Sequence, residues 1–455
     1  MGQGTHLTRR GFIGATSAAA TVVGCRGFMA GRPNFLIIYP DQLRASALSV
    51  HGDPNIATPA MDRLASQGLR FDRAYCADPH CSPARAAFLS GTYPSVNGVI
   101  TTNLRLPDEF TCFSQPMQMA GYKCGYIGKW HVDGAADHVP KGPSRRGFDD
   151  YWAAFNKNGH RYTESVYFLD TRDAQRPDPP SLYEPTYQTD LAIAKMEEWR
   201  RDPFVMMISY GPPHPPAQLT TQVGSWDGWI PSEYLDRVDP EAFRIQDNVP
   251  DDIVNGSRLF LHGYYAATLS IDDCVGRLLG ALDRLGLADD TVVVLHSDHG
   301  ELAGAHGHFG KERPYDEAVR VPLVMRWPRR ILPAVSQTLV SGVDLAPTLL
   351  GMAGINPDYG MHGVDLAPHI LDGAPPPRDT AYVQGRLEYD LSEQWESVRD
   401  DQWSYAVTAD GAVETLYDIV DDPLEQVDRS ADSAAEEALE AMRDHLAGWR
   451  QVIGS

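Results

Sequence analysis

Thr291-Val292-Val293-Val294-Leu295 runs straight into His296-Ser297-Asp298-His299-Gly300. Four consecutive apolar residues behind Thr291, three of them β-branched valines, suit a strand buried on both faces, and the abrupt change to ionisable residues marks its carboxyl end. The pattern recurs. Asn34 to Tyr39 (Asn-Phe-Leu-Ile-Ile-Tyr) ends in Pro40-Asp41-Gln42; Lys123 to Ile127 ends in Gly128-Lys129-Trp130-His131; Phe204 to Ser209 ends in Tyr210-Gly211-Pro212-Pro213-His214-Pro215-Pro216. Helix signals alternate with these runs. Thr58-Pro59 opens one that closes at Gly68, and others lie at Phe113 to Ala120, Asp190 to Trp199 and Leu259 to Leu285. Leu69 to Tyr75 reads as one further strand. The alternation predicts an α/β fold in which a large, mainly parallel sheet is sandwiched by helices. Four strands carry polar groups just past their carboxyl ends, where open α/β sheets bind ligands.

Between the first two of these strand ends lies Cys81-Ser82-Pro83-Ala84-Arg85-Ala86-Ala87-Phe88-Leu89-Ser90-Gly91-Thr92-Tyr93-Pro94. Pro83 fits the first turn of a helix and Gly91 its end, which puts Cys81 at a helix N-terminus. The unpaired N–H groups and the dipole there favour an anion, and Arg85 lies one turn on, facing the same way. An isolated cysteine in such a place is ordinarily a small buried hydrophobe.

From Pro375 the character changes to short alternating runs, Ala381-Tyr382-Val383 and Ser404-Tyr405-Ala406-Val407-Thr408, around an Asp410-Gly411 turn signal. An acidic helix follows from about Ala434 to Val452. The expected organisation is a leader over residues 1–31, a large α/β domain over 32–375, and a small antiparallel sheet with a helix over 376–455. Two irregular stretches, Asn156 to Pro185 and Gln218 to Pro250, are expected to form surface or cleft walls.

The leader reads as an export signal. Thr8-Arg9-Arg10-Gly11-Phe12-Ile13 precedes a weakly apolar run to Val23, a twin-arginine pattern that implies a bacterial protein exported folded. Val22-Val23-Gly24-Cys25 also reads as a lipobox, with a lipid anchor on Cys25 as one outcome and simple cleavage as the other. Against 39 Lys and Arg stand 61 Asp and Glu, a formal charge of -22 that argues against a nucleic-acid or anionic-membrane binder. The six cysteines show no metal-site spacing. Setting Cys25 and Cys81 aside leaves Cys76, Cys112, Cys124 and Cys274, whose pairing the sequence leaves open.

Asp41, Asp298 and His299, with a carbonyl oxygen from Gln42, make a hard, oxygen-rich set suited to one divalent cation. Singly, such residues belong to turns and caps; together at equivalent strand ends they point to a site.

Cys81-Ser82-Pro83-Ala84-Arg85 resembles the Cys-x-Pro-x-Arg signature of the type I sulfatases of the alkaline phosphatase superfamily. Tyr315 to Leu323, Val343 to Leu349 and Leu416 to Pro423 are also similar to sulfatase segments, so the resemblance covers Asn34 to about Asp428. It implies the alkaline-phosphatase-like sulfatase fold and oxidation of Cys81 to formylglycine (3-oxoalanine) by a formylglycine-generating enzyme. It also implies a metal site of Asp41, Gln42, Cys81, Asp298 and His299 holding Ca2+, with Mg2+ or Mn2+ as alternatives. Gln42 stands where the family more often has a second aspartate, which removes one negative charge.

Carried over by position, the family's mechanism has a hydrated Cys81 aldehyde attack sulfur after a carboxylate such as Asp298 takes its proton. Lys311 and Lys129 bind sulfate, Arg85 and Lys129 partner the formylglycine hydroxyl, and His214 protonates the leaving oxygen. His131 is the base that collapses the sulfated diol to aldehyde and free sulfate. His296, His306 and His308 are expected to be structural or to line the substrate. The expected activity is an exported sulfatase, periplasmic or lipid-anchored, acting on sulfate esters of carbohydrates. A phosphonate or phosphate ester hydrolase of the same superfamily is the competing enzyme reading, and a non-catalytic glycan-binding surface protein the competing class.

Overall fold

The computed structural model describes residues 31–157, 162–163, 167–169, 174–175, 182–216, 224–356, 359–387 and 390–454. The export signal and Cys25 lie outside the described residues, as do parts of both irregular stretches.

Sixteen strands are described. They are β1 (Asn34–Ile38), β2 (Leu69–Phe71), β3 (Ala74–Tyr75), β4 (Lys123–Lys129), β5 (Tyr151–Phe155), β6 (Tyr167–Phe168), β7 (Ala174–Gln175) and β8 (Phe204–Ser209), followed by β9 (Thr291–His296), β10 (Leu323–Arg326), β11 (Ala334–Ser336), β12 (Val340–Ser341), β13 (Ala381–Leu387), β14 (Asp390–Arg399), β15 (Trp403–Thr408) and β16 (Glu414–Asp418). Six described helices reach eight residues: α1 (Pro59–Ser66), α2 (Cys81–Ser90), α3 (Glu184–Glu198), α4 (Val254–Leu285), α5 (Leu345–Met352) and α6 (Glu436–Ile453).

The main sheet has ten strands in the order β11-β2-β10-β9-β1-β8-β4-β5-β6-β7. Strands β9, β1, β8, β4 and β5 are mutually parallel, and β10 closes one side by running antiparallel to both β9 and β2. The four strands singled out in the sequence are therefore immediate neighbours, and their carboxyl ends lie side by side.

Because strand side chains alternate between faces, the valines and isoleucines split between two cores. Leu36, Ile38, Met206, Ile208, Val293 and Leu295 pack with Met61 and Leu64 of α1, Met196 of α3 and Leu278 of α4. Phe35, Ile37, Val205, Met207, Val292 and Val294 pack on the other face with Phe88 and Leu89 of α2 and Leu349 of α5. Both faces are covered, which explains why the strands read as unbroken apolar runs.

Residues 69–75 do not form one strand. The chain bends at Asp72 and Arg73, so that β2 stays in the main sheet while β3 pairs in parallel with β12 in a separate two-stranded sheet. Toward the C-terminus β13, β14, β15 and β16 form an antiparallel meander. Leu439, Met442 and Leu446 of α6 cover it, packing on Tyr382, Val398, Tyr405 and Leu416. Arg399, fully buried, ties this sheet to the main body by donating to Glu425 (2.8 Å) and to the Pro314 carbonyl (2.7 Å). The five described cysteines are all free thiols. No described helix is long and apolar enough to cross a membrane.

Candidate active site

Helix α2 begins at Cys81 and stops at Gly91, whose φ of 66° is the left-handed conformation that glycine adopts at low cost. Its N-terminus meets the carboxyl ends of β1, β8, β4 and β9, so Cys81, 3% exposed, sits where the four polar strand ends converge. Around its Sγ lie Lys311 Nζ at 3.1 Å, His299 Nε2 at 3.3 Å and Asp41 Oδ1 at 3.8 Å. His131 and His214 lie near enough to the same sulfur for it to act on their protonation.

Below the sulfur is a lattice of alternating charge. Arg85 holds Asp298 Oδ2 with Nε at 3.0 Å and Nη2 at 2.9 Å, and its Nη2 also reaches Asp41 Oδ2 at 3.3 Å. Its Nη1 donates to the Lys129 carbonyl at 2.9 Å and to Ser209 Oγ at 2.6 Å. Lys129 Nζ donates to Asp41 Oδ2. Arg85 thus faces the carboxylates rather than the sulfur, and its planar fork fits two of them at once. Asp298 Oδ1 accepts the backbone N–H groups of Gln42 (2.9 Å) and His299 (3.0 Å).

The resulting field shifts each ionisable group. Burial pushes the Cys81 thiol up, but Lys129, Lys311 and His299 outweigh it and hold the thiol well below its ordinary value. Burial also pushes Asp41 up, as does Cys81, yet the charges of Lys129, His214 and Arg85 leave it below the usual carboxylate range. Desolvation and the neighbouring Lys129 lower His131 to about 4. His214 is lowered by burial and by Lys311; its Nδ1 lies 2.7 Å from the Pro215 carbonyl, which only an N–H can satisfy, so its Nε2 is left facing Lys311 Nζ at 3.2 Å. Burial lowers His299, but Asp298 beside it raises it further.

Ligand atoms of Asp41, Cys81, Asp298 and His299 all lie within 4.8 Å of one another, each residue buried. Oxygen ligands about 2.3–2.6 Å from a calcium ion span about that distance across it, so this donor set fits one hard divalent cation. Gln42 belongs to the same cluster: its Oε1 accepts from Lys311 Nζ at 2.9 Å.

All ten residues named from the sequence, Asp41, Gln42, Cys81, Arg85, Lys129, His131, His214, Asp298, His299 and Lys311, are thus brought into one connected cluster. His296 stays behind the sheet end with Nδ1 3.0 Å from the Pro322 carbonyl, and His306 stacks on Tyr315 at 3.7 Å. His306, Glu317 and Glu425 form a second close group, but Asn248 Nδ2 sits on the first two and Arg399 on the third. Three participants were not singled out from the sequence. Ser209 ends an apolar strand, Tyr162 donates to the His214 carbonyl from within an irregular stretch, and Glu301 accepts from the Gln42 side chain. Only Glu301, two residues beyond His299, could have been suspected from its place at a strand end.

A family model described as Sulfatase matches residues 33–355, and one described as N-sulphoglucosamine sulphohydrolase, C-terminal, matches residues 304–452. The chain is 33% identical over 408 residues to an ulvan-active sulfatase of Formosa agariphila, covering 87% of this chain and 76% of that protein. It is 29% identical over 390 residues to the N-acetylgalactosamine-6-sulfatase of Homo sapiens, covering 78% and 68%. The YidJ structure from Bacteroides fragilis superposes with a TM-score of 0.83 at 26% identity, over 93% of this chain and 97% of that one. With the family model spanning the whole sheet and the cluster at its edge, the chain belongs to the sulfatase family of the alkaline phosphatase superfamily and is a sulfuric ester hydrolase.

Proposed function

We propose that this sulfatase is exported, that Cys81 is converted to formylglycine as its nucleophile, and that its substrate is a sulfated glycan. The observation that carries the reading is the convergence of Lys129, Lys311 and His299 on one buried sulfur at a helix N-terminus, a cationic pocket suited to an anion. Relatives named as an ulvan-active sulfatase and an N-acetylgalactosamine-6-sulfatase support the glycan class. The twin-arginine leader supports export to the periplasm or cell envelope.

Asp41, Gln42, Asp298 and His299, with the modified Cys81, would hold one divalent cation, calcium first. Bound there, the cation supplies Lewis-acid stabilisation of negative charge at the reacting oxygen. The protein's own groups do the rest. Lys311, within reach of both Cys81 and His214, anchors the sulfate, and Lys129 adds a second positive charge. His214, oriented through Nδ1 by the Pro215 carbonyl, carries the proton to the departing oxygen once it has been protonated at Nε2. His131, neutral at working pH, takes the proton from the hydroxyl at Cys81 in the step that frees sulfate. Arg85 keeps Asp41 and Asp298 aimed at one point.

Mass spectrometry across Cys81 on protein from its native host tests the nucleophile, paired with rates on an aryl sulfate, a phenyl phosphonate and sulfated oligosaccharides. Formylglycine with the aryl sulfate preferred is the expected result. An unmodified thiol in the active protein would overturn the mechanism, and a preference for the phosphonate would overturn the substrate class.

A further inference from the structure

Glu301 is fully buried, and its carboxylate has three donors. Oε1 accepts the backbone N–H groups of Ala303 at 2.8 Å and Gly310 at 2.7 Å, and Oε2 accepts Gln42 Nε2. Gln42 itself is pinned along its backbone. It lies in the left-handed region at φ 64°, its N–H donates to Asp298 Oδ1 at 2.9 Å, and its carbonyl accepts from Tyr264 at 2.7 Å. What the backbone leaves open is which end of the side-chain amide faces Lys311, whose Nζ lies 3.1 Å from Cys81 Sγ. A carboxylate can only accept, so Glu301 draws the NH2 end toward itself and turns Oε1 the other way. Lys311 Nζ, which can only donate, meets that oxygen at 2.9 Å from the opposite side.

We infer that Glu301 is a positioning residue that makes Gln42 an oxygen ligand of the cation site and polarises its amide. A glutamine is a neutral and ambiguous ligand: turned over, it would present an NH2 group to a cation. With Glu301 behind it, the amide has one orientation, and a second carboxyl group lies one hydrogen bond from the site, its pKa raised by burial against the opposing pull of the Ala303 and Gly310 N–H groups. Outer groups of this kind typically govern metal affinity by about 10- to 100-fold.

The inference rests on the cation reading proposed above, and the test separates the two. Calcium binding is measured by calorimetry on the formylglycine-bearing protein after chelation, for wild type, Glu301→Gln and the reciprocal pair Gln42→Glu with Glu301→Gln. In Glu301→Gln the new side chain keeps an oxygen for Ala303 and Gly310 but offers an NH2 to Gln42, so the Gln42 amide loses its fixed direction. Calcium affinity should fall by about 10- to 100-fold with the melting temperature little changed. In the reciprocal pair the NH2 of residue 301 meets a carboxylate at 42, and affinity should return to wild type or above. A Glu301→Gln affinity within about twofold of wild type, or failure of the pair to restore binding, overturns the inference. Absence of calcium binding by wild type itself overturns both this inference and the cation reading.

Discussion

Replacing Lys311 with methionine in the unconverted, metal-free protein isolates one charge in the cationic pocket. Lys311 Nζ is 3.1 Å from Cys81 Sγ, and methionine keeps most of the stem's volume while removing the ammonium. Two unit charges about 4 Å apart at an effective dielectric of about 20 interact by about 4 kcal/mol, so the lysine is a large part of what holds the thiol down against burial. Water entering beside the methionine returns part of this. Even about a third of it, about 1.4 kcal/mol, is a tenfold change in the thiolate equilibrium. The pH midpoint of Cys81 alkylation by iodoacetamide, followed by peptide mass spectrometry, should therefore rise by at least about one pH unit in Lys311→Met. The other described cysteines are an internal control, because burial pushes the thiols of Cys76, Cys112, Cys124 and Cys274 up and keeps them unreactive. An unchanged Cys81 midpoint would refute the electrostatic account of the pocket. In the converted enzyme the same substitution should lower kcat/KM by about 10²- to 10³-fold on an aryl sulfate, the usual effect of losing one preorganised donor.

Three further outcomes follow from the geometry. Since His131 is depressed to about 4, it is already neutral above that pH, and the acid limb of kcat/KM assigned by its loss in His131→Gln should lie near 4; a limb near 6.5 would contradict the burial argument. Arg399→Met leaves Glu425 buried without its cation and should cost about 3–5 kcal/mol in urea unfolding, whereas a loss below about 1 kcal/mol would mean that the C-terminal sheet is held by its apolar contacts alone. Gly263→Ala in α4 sets a Cβ 1.9 Å from Trp226 Cγ, so it should destabilise by about 1–3 kcal/mol and shift the tryptophan emission; retained stability would show that the 224–230 segment yields freely.

The strands were legible where both faces are buried, since Val292 to Leu295 or Leu36 to Ile38 leave no solvent face to vary. Their adjacency was not, because the order β9-β1-β8-β4 is a property of crossovers that no local pattern encodes. Residues 69–75 misled for a related reason: no glycine or proline interrupts them, and the bend at Asp72 and Arg73 is set by β2 and β3 pairing in different sheets. Strands β14 and β16 escaped notice because their charged residues, such as Glu396 and Glu414, pair with arginines of α6 at the surface instead of announcing a buried face. In the site, residues with chemistry of their own, a cysteine, lysines and histidines at strand ends, stood out. Glu301 did not, because its contribution lies in the direction it imposes on another side chain.

The near-complete burial of Cys81 at the start of α2 also dictates an order of events. All ten residues of the helix are buried, and Pro83 and Arg85 are shut between the sheet and the surrounding loops. No second protein can close its own active site around a sulfur that shows 3% of its residue's surface beneath Lys311 and His214. Any enzyme that remodels this cysteine must reach the segment while it is still an extended chain. With Cys81 modified as proposed, the choice between a modified and an unmodified centre would be settled in competition with folding, and a molecule that folded first would keep its thiol.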